Sequence, residues 1–301
     1  MKPVIISLFD DNPVVHMIAK RQGYEVGQVL LRDFPDGESY IKFQHDLHDR
    51  ELILFTSLDR PNTKILPLIF VAETARALGA RCVGLCAPYL AYMRQDKQFN
   101  PGEGITSVYF AKLLSQYFDW FVTVDPHLHR YHDLSEIYTI PSQVLHATQA
   151  ISGWIQQKIT KPLLIGPDRE SEQWVAKIAQ IAQAPYIILE KNRHGDYKVD
   201  ISVPILGPYD DRTPVLVDDI ISTGQTMIAV VQHLQKAKMK AAVCVGIHGI
   251  FADDAYKKLL KAGVSKIVTC NTIQHESNDL DVSSLLSEGI AKFIDNRKEL
   301  R

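Results

Sequence analysis

Val215 to Thr226 reads VLVDDIISTGQT, an apolar run that delivers two adjacent carboxylates, Asp218 and Asp219, into a turn of Ser222, Thr223, Gly224, Gln225 and Thr226. The hydroxyls and backbone N–H groups of such a turn can face a phosphate. Gly224 permits close backbone approach, and a helix expected from Met227 onward offers its N-terminus to the anion. Paired carboxylates beside a phosphate cradle suit a ribose phosphate. In such a site Asp218 and Asp219 can accept hydrogen bonds from the 2- and 3-hydroxyls or hold Mg2+, with the turn taking the 5-phosphate. An Asp N-cap followed by an ST turn uses the same residue types with no ligand at all.

Further segments carry chemistry of lower specificity. In DPHLH, Asp125, His127 and His129 alternate as metal ligands would, yet alternation at a strand end also puts groups on one surface without an ion. FPDGE, Phe34 to Glu38, has the composition of a plain turn. RQDK at Arg94 to Lys97 and GPDRE at Gly166 to Glu170 add a cationic segment and a second acidic strand end. Lys191, Asn192 and Arg193 close the strand YIILEK ahead of polar HGDYK, where solvated cations are common.

These groups need strand ends to hold them. Apolar runs rich in Val, Ile and Leu alternate with longer segments of helical period, the pattern of α/β domains with parallel sheets. Nine runs read as strands: Val4 to Phe9, Glu51 to Phe55, Cys82 to Ala87, Phe121 to Val124, Leu163 to Ile165, Tyr186 to Leu189, Pro214 to Val217, Ala242 to Ile247 and Lys266 to Cys270. Thr106 to Phe118 sets Val108, Ala111, Leu114, Tyr117 and Phe118 on one helical stripe, and Glu170 to Ile181 does so with Trp174, Val175, Ile178 and Ile181. The 301 residues suggest two domains, divided in a helical segment from about Gln143 to Lys161: 1–146, with 286–301 returning to it through a last strand near Lys292 to Asp295, and 147–285. Ligands of open α/β sheets sit outside the carboxyl ends of strands, so Asp125, Asp168, Asp218 and Asp219 should line clefts.

Charge and cysteine usage exclude several classes. Lys plus Arg is 33 and Asp plus Glu is 35, a net charge of -2, so no global basic field draws nucleic acid or an anionic membrane. Cys82, Cys86, Cys244 and Cys270 fall in apolar strands and read as buried thiols of a reducing compartment. The start, MKPVIISLFDDN, is too weakly apolar for a signal peptide, and no apolar stretch reaches 18 residues, so a cytoplasmic protein is expected.

VLVDDIISTGQT resembles the phosphoribosyl diphosphate motif shared by type I phosphoribosyltransferases and ribose-phosphate diphosphokinases. FPDGE, RQDK, DPHLH and GPDRE resemble diphosphokinase segments in the order that family has them, over nearly the whole chain. The resemblance implies two α/β domains like type I phosphoribosyltransferase units and transfer of the diphosphate of ATP to the C1 hydroxyl of ribose 5-phosphate. The N-terminal domain would bind ATP and the C-terminal one ribose 5-phosphate, with substrates held between domains and at a subunit contact. It further implies an ATP site of Phe34, Asp36, Glu38, Arg94, Gln95, Asp96 and His127, with FPDGE supplied by a neighbouring subunit of a homo-oligomer, a dimer or a hexamer. Mg2+ would be held at His127 and Asp168. Lys191 and Arg193 match the basic pair of a mobile loop that closes over the transferring group, while His129 and His132 remain surface residues.

Two departures qualify the match. Ser222 and Gly224 stand where many bacterial and animal members have Asp and Ala, and FNPGEG at Phe99 to Gly104 lacks the arginines that often follow RQD. Both are similar to the archaeal-type branch, and the second implies a weak or absent second anion site for ADP or phosphate. A type I phosphoribosyltransferase would share the phosphate turn but not the ATP segments. A non-catalytic regulatory homologue would be expected to lack the loop cations or metal residues present here.

Overall fold

A computed structural model describes the backbone of residues 1–194, 198–202 and 207–299, and their side chains except at 170, 190–194, 198–202 and 297–299. The chain divides into two compact units, 1–145 with 283–301, and 146–282. In the first run β1 (Val4–Ser7), α1 (Pro13–Gln22), β2 (Glu25–Val26), β3 (Val29–Asp33), β4 (Ser39–Phe43), β5 (Glu51–Phe55), α2 (Ile65–Ala77), β6 (Cys82–Cys86), α3 (Thr106–Tyr117), β7 (Trp120–Val124) and β8 (Ser142–Leu145). The sheet is parallel in the order β2-β1-β5-β6-β7-β8, and β3 with β4 forms a separate antiparallel hairpin. ELILF, CVGLC and WFVTV of β5, β6 and β7 are buried at every position, as parallel strands covered on both faces must be. The one charge among them, Glu51, is met by Arg81 at 2.7 Å.

The second unit holds α4 (Thr148–Lys158), β9 (Pro162–Gly166), α5 (Glu172–Ala182), β10 (Tyr186–Ile188), β11 (Glu190–His194), β12 (Lys198–Ser202), β13 (Thr213–Ile221), α6 (Gln225–Lys236), β14 (Val243–Gly249), α7 (Ala255–Lys261), β15 (Lys266–Cys270) and β16 (Asn278–Leu280). Its sheet, β10-β9-β13-β14-β15-β16, is parallel too, and β11 pairs with β12 as an antiparallel hairpin. Helix α8 (Ser283–Glu299) then belongs to the first unit. All four cysteines are free and buried, and burial pushes the thiols of Cys86 and Cys244 far up.

The nine expected strands all form, and several expectations need correction. The segment near Lys292 to Asp295 is helix, because Leu286, Ile290 and Ile294 bury at a spacing of four and so present one helical stripe. Val108 lies off the buried stripe of α3, which runs through Ser107, Phe110, Ala111 and Leu114. Gln143 to Leu145 belong to β8 rather than to the dividing helix. Among the described residues no helix is long and apolar enough to cross a membrane.

Candidate active site

In the second unit, β13 runs beyond its apolar part through Asp218 and Asp219 to Ile221. Both carboxylates bind the backbone beside them: Asp219 N–H donates to Asp218 Oδ1 at 3.0 Å, and Ile220 N–H to Asp219 Oδ1 at 2.8 Å. The turn opens immediately after, where the carbonyl of Ile221 accepts from the N–H groups of both Ile250 and Phe251 at 3.0 Å. Gly224 then adopts φ +69, a left-handed conformation that costs other residues about 1 to 2 kcal/mol. A Cβ there would meet Leu259 of α7 at 3.3 Å. Helix α6 starts at Gln225, two residues earlier than expected, with no side chain capping its first turn. Ser222, Thr223, Gln225 and Thr226 therefore surround a helix N-terminus suited to an anion.

Acidic groups gather beside this turn. Asp168 stands at the head of a short turn after β9, accepting from Ser171 N–H at 3.1 Å. Burial, then the neighbouring charges of Asp219 and Asp168, hold the Asp218 carboxyl well above the usual carboxylate range. Asp218 with the neighbouring carboxylates of Asp219 and Asp168 forms an oxygen-rich donor set, the kind Mg2+ accepts. Lys191 and Arg193 do not close a sheet strand. They lie on β11, in register with Ile201 and Val199 of β12, so they ride an arm of the hairpin. The expected mobile segment extends over 195–197, outside the described residues.

In the first unit the candidate residues gather on three loops. FPDGE is the tip of the β3–β4 hairpin, closed by Phe34 N–H to Glu38 O at 2.7 Å and by Glu38 N–H to Asp36 Oδ1 at 3.2 Å. Phe34 is 40% exposed, with the Arg32 guanidinium 4.9 Å from its ring centre. After β6, Tyr92 takes φ +60, packs on Phe110 and donates from its hydroxyl to Asn62, so the chain turns there to bury Met93 and expose Arg94. The carbonyl of Gln95 accepts from Ser107 N–H at 3.3 Å. Asp96 is turned inward, its carboxylate 3.3 Å from Arg130, while its carbonyl accepts from the Tyr131 hydroxyl.

The third loop follows β7. Asp125 is held at φ +33 with its N–H on Leu145 O at 2.9 Å. Beyond it, His127 Nδ1 and His129 Nε2 lie 2.9 Å apart, so one nitrogen donates and the other accepts. His129 and His132 are exposed. Arg130 and Tyr131 went unassigned by sequence reasoning. Their partner Asp96 is far away along the chain, and no local pattern connects them.

Comparison with known proteins identifies the family of the chain. Residues 3–117 match the N-terminal domain of ribose phosphate pyrophosphokinase, and 133–284 match the phosphoribosyl transferase domain. A ribose-phosphate pyrophosphokinase of Saccharolobus solfataricus is 31% identical, with 96% of this chain and 99% of the relative covered. One from Sulfurisphaera tokodaii is 30% identical over 97% of this chain and all of its own length. The crystal structure of phosphoribosylpyrophosphate synthetase from Mycobacterium smegmatis shares the fold, with a TM-score of 0.84 at 22% identity over 98% of this chain and 100% of its own. With two matched domains in order and archaeal relatives aligned almost end to end, the chain belongs to the ribose-phosphate pyrophosphokinase family.

Proposed function

We propose that this enzyme transfers the diphosphate of ATP to the C1 hydroxyl of ribose 5-phosphate, giving 5-phosphoribosyl 1-diphosphate and AMP. The observation that carries the reading is the uncapped N-terminus of α6 behind Gly224, with Asp218 and Asp219 at the end of the preceding strand. Ser222, Thr223, Gly224, Gln225 and Thr226 cradle the 5-phosphate, and the two carboxylates receive the ring hydroxyls. Arg94, Gln95, Asp96 and His127 serve ATP. Phe34, Asp36 and Glu38, reaching over from a second copy of a homo-oligomer, hold the adenine. In this assignment Asp96 positions its segment through Arg130, since its carboxylate faces inward.

The C1 oxygen forms a bond to the β-phosphorus, the bond from that phosphorus to the bridging oxygen of AMP breaks, and the hydroxyl proton is released to solvent. Negative charge grows on the nonbridging oxygens and on the departing AMP. Lys191 and Arg193 stabilise it in the transition state. His127 and Asp168 are the residues assigned to Mg2+, which when bound neutralises phosphate charge as a Lewis acid. His127 meets a phosphate or a bound water, because Mg2+ prefers oxygen ligands.

Purified protein incubated with Mg2+, ATP and ribose 5-phosphate should release AMP and phosphoribosyl diphosphate in equal amounts. ADP as the nucleotide product would mean a simple kinase, and absence of turnover would favour a regulatory homologue.

A further inference from the structure

Phe99 follows RQDK by two residues and is 54% exposed. Its loop is tied down nonetheless. The Glu103 carboxylate accepts from Phe99 N–H at 2.8 Å, from Asn100 N–H at 3.0 Å and from Asn100 Nδ2 at 2.6 Å. These bonds, the Asn100 side chain first, hold the Glu103 carboxyl below its usual range, so the carboxylate that closes the turn is present at neutral pH. Lys97 Nζ lies 5.0 Å from the centre of the Phe99 ring, a cation–π distance. The stem of the segment is fixed by Ser107 N–H on the Gln95 carbonyl and by Arg130 and Tyr131 on Asp96. One short stretch thus carries two cations, Arg94 and Lys97, beside an exposed aromatic ring on a pinned turn.

We infer that Phe99 is a nucleotide-binding residue that stacks on the adenine of ATP while Arg94 and Lys97 meet its phosphate oxygens. The inference rests on the ATP-dependent reading above. A nucleoside triphosphate is a flat π system joined to a polyanion, so it asks for an aromatic face with cations close by. A ring whose backbone is already held by its turn loses only side-chain freedom on binding, which keeps the cost of ordering low. Stacking reads the π-face rather than hydrogen-bonding edges, so this contact favours a base over no base without choosing among bases.

The test uses the full chain, unsubstituted and as Phe99→Ala and Phe99→Trp. Calorimetric titration with MgATP and with magnesium tripolyphosphate separates base from phosphate binding, and steady-state assays give KM for ATP and ribose 5-phosphate. Phe99→Ala should weaken MgATP about tenfold, within the range for removing one base-stacking ring, with tripolyphosphate affinity and the ribose 5-phosphate KM unchanged. Phe99→Trp should retain MgATP affinity. Equal MgATP affinity in Phe99→Ala would overturn the inference, as would parallel loss of tripolyphosphate or a smaller species on gel filtration that accounts for the loss. Absence of phosphoribosyl diphosphate from the unsubstituted protein would instead remove the proposed reaction, and titration would still decide the stack.

Discussion

The two units are one scaffold furnished twice. Each has an edge strand outside its first strand, then an antiparallel hairpin, then strands added on the other side, so β1, β2 and β5 correspond to β9, β10 and β13. Hairpin β3–β4 with FPDGE at its tip thereby corresponds to β11–β12 with Lys191 and Arg193. The sharpest contrast follows β5 and β13. After β13 comes Gly224 and an uncapped helix; after β5 comes SLDRPNTK, where Lys64 donates to Ser57 O at 2.8 Å and pairs with Asp59 at 2.5 Å. At the position of the proposed anion cradle in the second unit, the first places its own lysine against Ser57 and Asp59. A parallel sheet therefore supplies an address at its carboxyl edge, and a few turn residues decide whether a ligand or a side chain occupies it.

Mutation can break that contrast, and the largest effect should come from the hairpins. Lys191→Ala or Arg193→Ala should lower kcat by on the order of 100- to 1000-fold, about 3 to 4 kcal/mol, with little change in KM, since a charge acting only in the transition state leaves binding intact. Steady-state kinetics decide, and a Lys191→Ala enzyme of near-normal kcat would remove Lys191 from the mechanism.

A smaller effect is expected at the two strand ends. Asp219→Ala should raise the ribose 5-phosphate KM by roughly 10- to 100-fold, the cost of hydrogen bonds to a charged group. Lys64→Ala, at the corresponding place, should leave both KM values unchanged and lower Tm by about 2 to 4 °C, as loss of a partly exposed pair worth about 1 kcal/mol would do. If the Lys64 variant altered the ribose 5-phosphate KM instead, the division of labour between the units would fail.

The mildest change is Gly224→Ala. The left-handed conformation costs alanine about 1 to 2 kcal/mol, so if the turn relaxes to relieve it the ribose 5-phosphate KM should rise about 5- to 30-fold while the KM for ATP holds. An unchanged ribose 5-phosphate KM would show that the cradle tolerates a Cβ.

What the sequence made legible follows from where the information sits. Buried strands such as ELILF and WFVTV announce themselves as continuous apolar runs, whereas EV, SYIKF, SQVL and NDL are short, half-polar edge or hairpin strands that only pairing identifies. The hairpin carrying Lys191 was missed for this reason, since KVDIS alone gives no sign of a partner. The turn between β13 and α6 was readable because strand, carboxylates, hydroxyls and glycine are contiguous in VLVDDIISTGQT. The Arg130–Asp96 pair was not, because folding alone brings its members together. Likewise the left-handed backbone at Tyr92 and Asp125 follows from tertiary bonds rather than residue type.

Helix α8 gives the chain a history as well as a shape. It completes the first unit, stacking Phe293 on Trp120 at 4.9 Å and receiving the Gln22 amide on Ser287 Oγ at 2.8 Å, yet it is encoded after all of residues 146–282. Gly84 leaves the indole no Cβ to meet, so Trp120 lies flat between the sheet and that helix. On a ribosome adding about 5 to 20 residues per second, the nascent first unit waits on the order of ten seconds for its last helix, with the indole face uncovered. The unit that is translated first is thus the last to be finished, and a truncation after Val282 would strand it in that waiting state.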